Sequence, residues 1–249
     1  MSHRGVSIVE TKPMIKVKYC IVGAPDVGLV GAISLSYLIQ SLKMEQMGYL
    51  ESDMFDPVIV VHQGVPETPF RIYGKDDLVA FISEIPLEPH SLFPVSRAIV
   101  DWAKSKNVEL LVSISGVPIQ NRLDVEVPQV FSVGTSPAIR DSLKKEDIEP
   151  FEEGFMAGLH GLVVRECLKK GVASAVLLAQ SHLQYPDPGA AASAINALNR
   201  LLGLKVDVKK LLEEEEEIRL KMRELMQQTG RAMAETPKTG EQGIPLMYA

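Results

Sequence analysis

Lys16-Val17-Lys18-Tyr19-Cys20-Ile21-Val22 followed by Gly23-Ala24-Pro25-Asp26-Val27-Gly28-Leu29-Val30-Gly31 decides the fold. The first seven residues alternate as a strand does, the Gly-Ala-Pro-Asp break ends it, and an amphipathic helix is expected over about 27–43. Strand, turn and glycine-bearing helix is also the layout of a dinucleotide fingerprint, but Pro25 stands where the second glycine must let a pyrophosphate approach the backbone. Gly28 and Gly31 therefore read as close helix packing. Outward from this unit, Val- and Ile-rich runs at 58–61, 70–73, 78–83, 110–115, 130–133 and 175–179 read as further strands, several of them buried on both faces. Helical patterns at about 94–106, 154–170 and 188–202 fall between them. Such alternation predicts a single α/β domain, a mostly parallel sheet flanked by helices on both faces.

The 249 residues carry 46% hydrophobic side chains, enough for a substantial core. A net charge of −6 argues against general affinity for nucleic acid or for an anionic membrane. Neither an 18-residue apolar stretch nor a signal-peptide pattern over residues 1–14 is present, so a cytoplasmic protein is expected. Cys20 lies in a strand-like run and Cys167 in a helical pattern, without CxxC spacing, and both read as reduced core thiols.

The helix at 188–202 is marked at both ends, by Asp187 as N-cap, Pro188 at the first helical position and Gly203 where a C-terminal cap belongs. A second helix is expected over 208–228, with Asp207 as N-cap and Val206 stapling to Leu211. Its apolar stripe is Leu211, Ile218, Met222 and Leu225, and its acidic run 213–217 is offset by Glu215–Arg219 and Glu217–Lys221 pairs at i, i+4. The stripe packs either on its own body or on a second copy. From Thr229 the composition turns to Gly and Pro without periodicity, which reads as a flexible tail. The expected organisation is thus an α/β domain over 1–206, an acidic amphipathic helix over 207–228 and a tail over 229–249.

Chemistry is sparse. His62, His90, His160 and His182 have no second histidine or cysteine at ligand spacing, so no metal is expected. His160 shares its helix with Gly154, Ala157, Gly158 and Gly161, a small-residue face that points to packing. The segment Gln180-Ser181-His182-Leu183-Gln184-Tyr185-Pro186-Asp187 follows a strand and precedes a helix, where α/β proteins place ligands. It supplies the alternative reading, a small-molecule enzyme of phosphorylase-like or hydrolase type using the 180–188 loop. No GxSxG elbow accompanies it, and Asp124 and Glu126 have no sequence-level tie to His182. No catalytic residue and no cofactor is assigned, and no GxxxxGK[ST] loop signals ATP hydrolysis.

Four segments in a fixed order resemble the proteasome assembly chaperone family in its archaeal branch. They are Gly23 to Gly31, Ser115-Gly116-Val117-Pro118, Gly158-Leu159-His160-Gly161-Leu162, and Tyr185-Pro186-Asp187-Pro188-Gly189-Ala190-Ala191 leading to Leu198-Asn199-Arg200-Leu201-Leu202-Gly203-Leu204. The resemblance covers about residues 15–212. It implies a nucleoside-phosphorylase-like fold without the catalytic residues, homo-oligomeric assembly, and a chaperone that works without ATP. It also implies binding to proteasome α subunits through a C-terminal hydrophobic-Tyr-X key, carried here by Met247, Tyr248 and Ala249. In such a key the ring fills a pocket and the terminal carboxylate pairs with a lysine. The acidic helix and long tail depart from the eukaryotic members. Leu211, Ile218, Met222 and Leu225 are the candidate oligomer interface.

Overall fold

Tyr19–Gly23 forms the expected strand and Val30–Leu42 the expected helix, joined by a 3-10 turn at Val27–Leu29. This computed structural model describes residues 2–3, 5–14 and 16–235. Its strands are β1 (Ser2–His3), β2 (Val6–Glu10), β3 (Tyr19–Gly23), β4 (Glu45–Ser52), β5 (Val60–His62), β6 (Val65–Glu67), β7 (Phe70–Lys75), β8 (Leu78–Ser83), β9 (Leu110–Pro118), β10 (Val130–Gly134), β11 (Glu149–Pro150) and β12 (Ser174–Ser181). The helices are α1 (Val30–Leu42), α2 (Pro89–Ser105), α3 (Pro137–Lys145), α4 (Gly158–Lys170), α5 (Pro188–Leu202), α6 (Lys209–Glu213), α7 (Glu215–Lys221) and α8 (Arg223–Glu235).

The main sheet runs β1-β2-β4-β7-β8-β3-β9-β12-β10-β11. Its centre, β8-β3-β9-β12, is parallel throughout, and antiparallel pairings extend it on both sides. The central strands are buried on both faces, which is why they read as unbroken apolar runs. One face, with Ile21, Ile82, Val112, Ile114 and Leu177, packs on α1 and the alanine-rich α5. Cys20, Val22, Phe81 and Leu111 face α2 and α4 on the other side. Both cysteines are free and lie in that second core, where burial raises their pKa values, that of Cys167 to about 12.

Gly31 confirms the packing reading, since a Cβ there would sit 2.5 Å from the Ile114 carbonyl oxygen. Several boundaries differ from expectation. The helix at 27–43 is interrupted at its start by left-handed residues, Gly28 at φ 62° and Leu29 at φ 53°. The helix expected at 94–106 begins five residues earlier, with Pro89 at its first position, and carries Pro94 inside it, where the missing amide removes the bond to the carbonyl of residue 90. Residues 154–157 precede α4 instead of belonging to it. The strand expected at 58–61 does not enter the main sheet; β5 pairs only with β6 in a separate hairpin.

The helix at 188–202 has the bounds its caps announce. Beyond it, the acidic helix of 208–228 is three short segments, although amides at Ile218, Met222 and Met226 each reach the carbonyl four residues back across the joints. Asp207 Oδ1 accepts from the Lys209 amide at 2.9 Å, and Val206 and Leu211 are buried in one core. The Glu215–Arg219 and Glu217–Lys221 pairs form, at 2.6 and 2.5 Å. Helix continues to Glu235, seven residues past the expected end of the helix at 228, and Thr229 is buried with its hydroxyl donated to the Leu225 carbonyl. No helix of the described residues is long and apolar enough to cross a membrane.

Candidate functional site

The loops after β3, β9 and β12 meet at the carboxyl ends of the parallel strands, the place where α/β sheets hold their functional groups. Two glycines allow the approach. Gly28 is left-handed, and a Cβ on it would fall 1.8 Å from Ser181 Oγ; one on Gly116 would lie 2.5 Å from the Val27 carbonyl oxygen. The amide of Asp187 donates to the Gly28 carbonyl at 2.8 Å, joining the first loop to the third.

Asp187 is wholly buried, and its carboxylate takes four donors. Arg122 gives two of them, Nε at 2.7 Å and Nη2 at 2.8 Å, while the amides of His182 and Ala190 give the others at 3.1 and 2.9 Å. The third arm of Arg122 donates to the Val125 carbonyl at 2.7 Å. Burying a charge pair is costly unless its polar atoms find partners, and here both carboxylate oxygens and all three guanidinium nitrogens do. The expected N-cap of α5 is therefore also the brace that locks the 119–129 and 181–188 loops together. His182 lies beside it, edge-on to Tyr185 with ring centroids 6.0 Å apart. Burial, then the charges of Arg122 and Arg219, hold its pKa below the ordinary value, against the opposing pull of Asp187 and Glu215. Asp124 and Glu126 are both exposed.

A second polar cluster lies next to the brace. Ser115 donates to Asp26 Oδ2, and His160 Nε2 stands 3.2 Å from the same oxygen, off the line of a hydrogen bond. A serine relay needs the imidazole between hydroxyl and carboxylate; here the carboxylate is in the middle. His160 is buried in α4, and Gly161 on the same helix comes so close to the chain that a Cβ would meet the Met156 carbonyl at 2.5 Å. Among the described residues no three His, Cys, Asp or Glu side chains gather as a metal-ligand set.

The β5–β6 hairpin rises at the same end of the sheet, because Phe70, which follows it, pairs with Ser83 at the finish of β8. Gln63 and Gly64, at φ 51° and 82°, make the two-residue left-handed turn that suits a twisted hairpin. Arg71, 4% exposed, clasps the hairpin's base: it contacts Glu67 on β6, Glu84 past the end of β8, and His62 Nε2 at 3.0 Å. Partial burial and the Arg71 charge lower the pKa of His62. Sequence reasoning missed both arginines. It also missed the hairpin, whose signal was a Val-rich run split by Gln63-Gly64.

Of the expected site residues, Met247, Tyr248 and Ala249 lie outside the described residues. Leu211 is 1% exposed, and Ile218, Met222 and Leu225 are partly buried against the same core, together with the fully packed Met226. Leu211 thus has no surface left to offer a second copy, whereas Ile218, Met222 and Leu225 keep part of theirs.

Comparison with known proteins gives a concordant set. The model of the PAC2 family matches residues 20–226. An uncharacterised protein of Methanocaldococcus jannaschii is 29% identical over 214 residues, which are 86% of this chain and 87% of the relative. Pyrococcus furiosus PbaA, described as an archaeal homologue of proteasome-assembly chaperone, superposes with a TM-score of 0.86 at 31% identity, covering 92% of this chain and 99% of that one. Pyrococcus furiosus PbaB, described as an archaeal proteasome activator, shares the fold with a TM-score of 0.75 at 23% identity over 89% of this chain and 99% of its own.

Proposed function

The chain belongs to the PAC2 family, and from that premise we propose that it is a proteasome assembly chaperone that engages proteasome α subunits through Met247, Tyr248 and Ala249. The observation that carries the reading is near-full-length similarity to PbaA, a homologue of proteasome-assembly chaperone, in a chain that closes on a hydrophobic-Tyr-X triplet. Fourteen residues separate Glu235 from the terminus, a reach of at most roughly 50 Å, so the triplet can enter a pocket between subunits while the α/β body stays outside. Action without ATP and self-association into a homo-oligomer complete the proposal; several tails presented together turn a weak contact into avidity.

The test is binding of the full chain to purified core particle or α subunits. Removing residues 247–249 is expected to abolish binding and leave the melting temperature unchanged, because a Gly- and Pro-rich terminal segment contributes little to a core. Tyr248→Ala should cost about 2–4 kcal/mol of binding through the lost ring and hydroxyl, and Tyr248→Phe only the hydroxyl's part. Appending residues after Ala249 should harm binding comparably, since the carboxylate moves away from its partner. Equal affinity of intact and truncated chains rejects the proposal.

A further inference from the structure

Four of the nine buried side-chain atoms that lack a hydrogen-bond partner among the described residues gather where the loop after β3 and the strand β9 meet the first turn of α4. They are Asp26 Oδ1, both ring nitrogens of His160 and Ser113 Oγ. Folded chains leave few such atoms unmet, so their concentration in one place marks a site for a polar group from outside the chain. β9 alternates, and Leu111, Ser113 and Ser115 face the side of the sheet that carries α2 and α4. His160 comes to meet them as the third residue of α4, with only 6% of its side chain exposed. Asp26 keeps 17% of its side chain in solvent, so the cluster opens on the Asp26 side.

The donor and acceptor pattern says what fits. Ser115 donates to Asp26 Oδ2 and fixes the carboxylate, which leaves Oδ1 as a free acceptor. A neutral imidazole carries a hydrogen on one nitrogen and a lone pair on the other, and His160 Nε2 stands 3.2 Å from Oδ2 without bonding to it. An acceptor and a donor side by side suit an atom that gives one hydrogen bond and takes another, which is what a hydroxyl oxygen does. The span agrees, since two hydrogen bonds end to end reach about 5.6 Å and Oδ1, on the same carboxylate as Oδ2, lies within that distance of Nε2. Charge narrows the class further. A second anion would meet the Asp26 carboxylate at contact. A cation would meet the positive end of α4, whose N-cap Ala157 has no side chain to shield it, and no third His, Cys, Asp or Glu among the described residues completes a metal set. A neutral hydroxyl meets neither penalty.

We propose that Asp26 and His160 form a binding site for a single hydroxyl group, whose oxygen gives its hydrogen to Asp26 Oδ1 and takes one from the His160 ring. An internal water and a small alcohol share this chemistry. Held there, the hydroxyl joins the first turn of α4 to the loop after β3, which runs on to the Gly28 carbonyl and, through it, to the amide of Asp187 in the brace. A ligand held only by the folded chain stabilises it, so occupancy tightens the same end of the sheet that the brace locks.

Crystals of the full chain grown from salt without alcohols, and others soaked in ethylene glycol, read the site directly. In both, an oxygen is expected within about 3.2 Å of Asp26 Oδ1 and of a His160 ring nitrogen. If the soak leaves a lone oxygen the occupant is water, and if carbon density grows from it the site takes alcohols. In solution without alcohols, oxygen-17 relaxation dispersion should count at least one long-lived water fewer in His160→Phe, which keeps a ring and removes both nitrogens. Should that variant fail to fold, the wild type carries the test alone: the His160 ring N–H should show a nuclear Overhauser effect to water, or to the methylene protons of ethylene glycol where the alcohol binds. A direct Asp26–His160 hydrogen bond with no third atom, an ion in place of the oxygen, an equal count of long-lived waters in folded His160→Phe and wild type, or a ring N–H with neither cross-peak overturns the site.

Discussion

Arg122 and Arg71 are both nearly buried arginines that tie a loop to the same end of the sheet, and they do so to different degrees. All three arms of Arg122 that face the protein have acceptors, and Asp187 opposite is wholly enclosed. Arg71 holds Glu67 and Glu84, which keep 23% and 21% of their side chains in water, and its Nε has no hydrogen bond among the described residues. A fully satisfied pair makes its loops part of the core. A partly satisfied one attaches an element that remains separable, and the two regions it separates are the body and the hairpin.

The largest effect should come from the sealed pair. Arg122→Ala leaves the Asp187 carboxylate buried with two amides and no cation, which costs about 3–5 kcal/mol, and the loss should appear in global unfolding. Asp187→Asn with Arg122→Met, which removes both charges and keeps an N-cap, should recover much of it. If Arg122→Ala lowers the denaturation midpoint no more than Arg71→Ala does, the distinction between brace and clasp collapses.

Arg71→Ala should cost less, about 1.5–3 kcal/mol from charge-assisted bonds, since Glu67 and Glu84 can turn to water. Its effect should be local. Amide exchange and proteolytic cleavage between residues 58 and 67 should rise while exchange in β3, β9 and β12 stays slow. Uniform acceleration across the sheet would show that the clasp belongs to the core after all.

How much of this was legible in the sequence depends on where each signal resides. α5 and β8 were read to the residue because their caps and breaks are local: Asp187-Pro188 and Gly203 for one, Asp76-Asp77 and Pro86 near the ends of the other. β4, with Glu45-Gln46-Met47-Gly48, and β2 were missed because their faces alternate too weakly in polarity. α3 was missed although Ser136 Oγ caps it by accepting from the Ile139 amide at 3.3 Å ahead of Pro137, a local signal that was present. Residues 58–61 were read as a strand because Val-rich runs usually mean burial, whereas here Val58, Ile59 and Val61 are exposed. The Arg122–Asp187 pair spans 65 residues and has no periodicity, so only the folded chain brings it into view. The tail motif is the opposite case: it is legible in the sequence alone and lies outside the described residues.

The smallest effect separates the same two regions by pH. Burial lowers the pKa of both His62 at the clasp and His182 at the brace, so each is favoured neutral in the folded chain while the unfolded chain titrates near the ordinary histidine value. A group whose folded pKa is depressed contributes stability above the unfolded pKa and loses it as pH falls toward the folded one. Stability should therefore decline as pH falls below about 6.5, the ordinary histidine value, before Glu10 and Glu166, whose pKa values the nearby lysines lower, begin to protonate. Both rings are partly solvated, so screening keeps the loss small, on the order of 1–3 °C in Tm. His182→Gln should flatten that slope in global melting. His62→Gln should instead remove an acid-induced rise in hairpin exchange, because protonated His62 sets a second positive charge 3.0 Å from Arg71, which the Glu84 carboxylate at 2.7 Å offsets without reversing the lowered pKa. An unchanged slope in the first variant, or unchanged hairpin exchange in the second, would show that the charge near these rings is already compensated elsewhere.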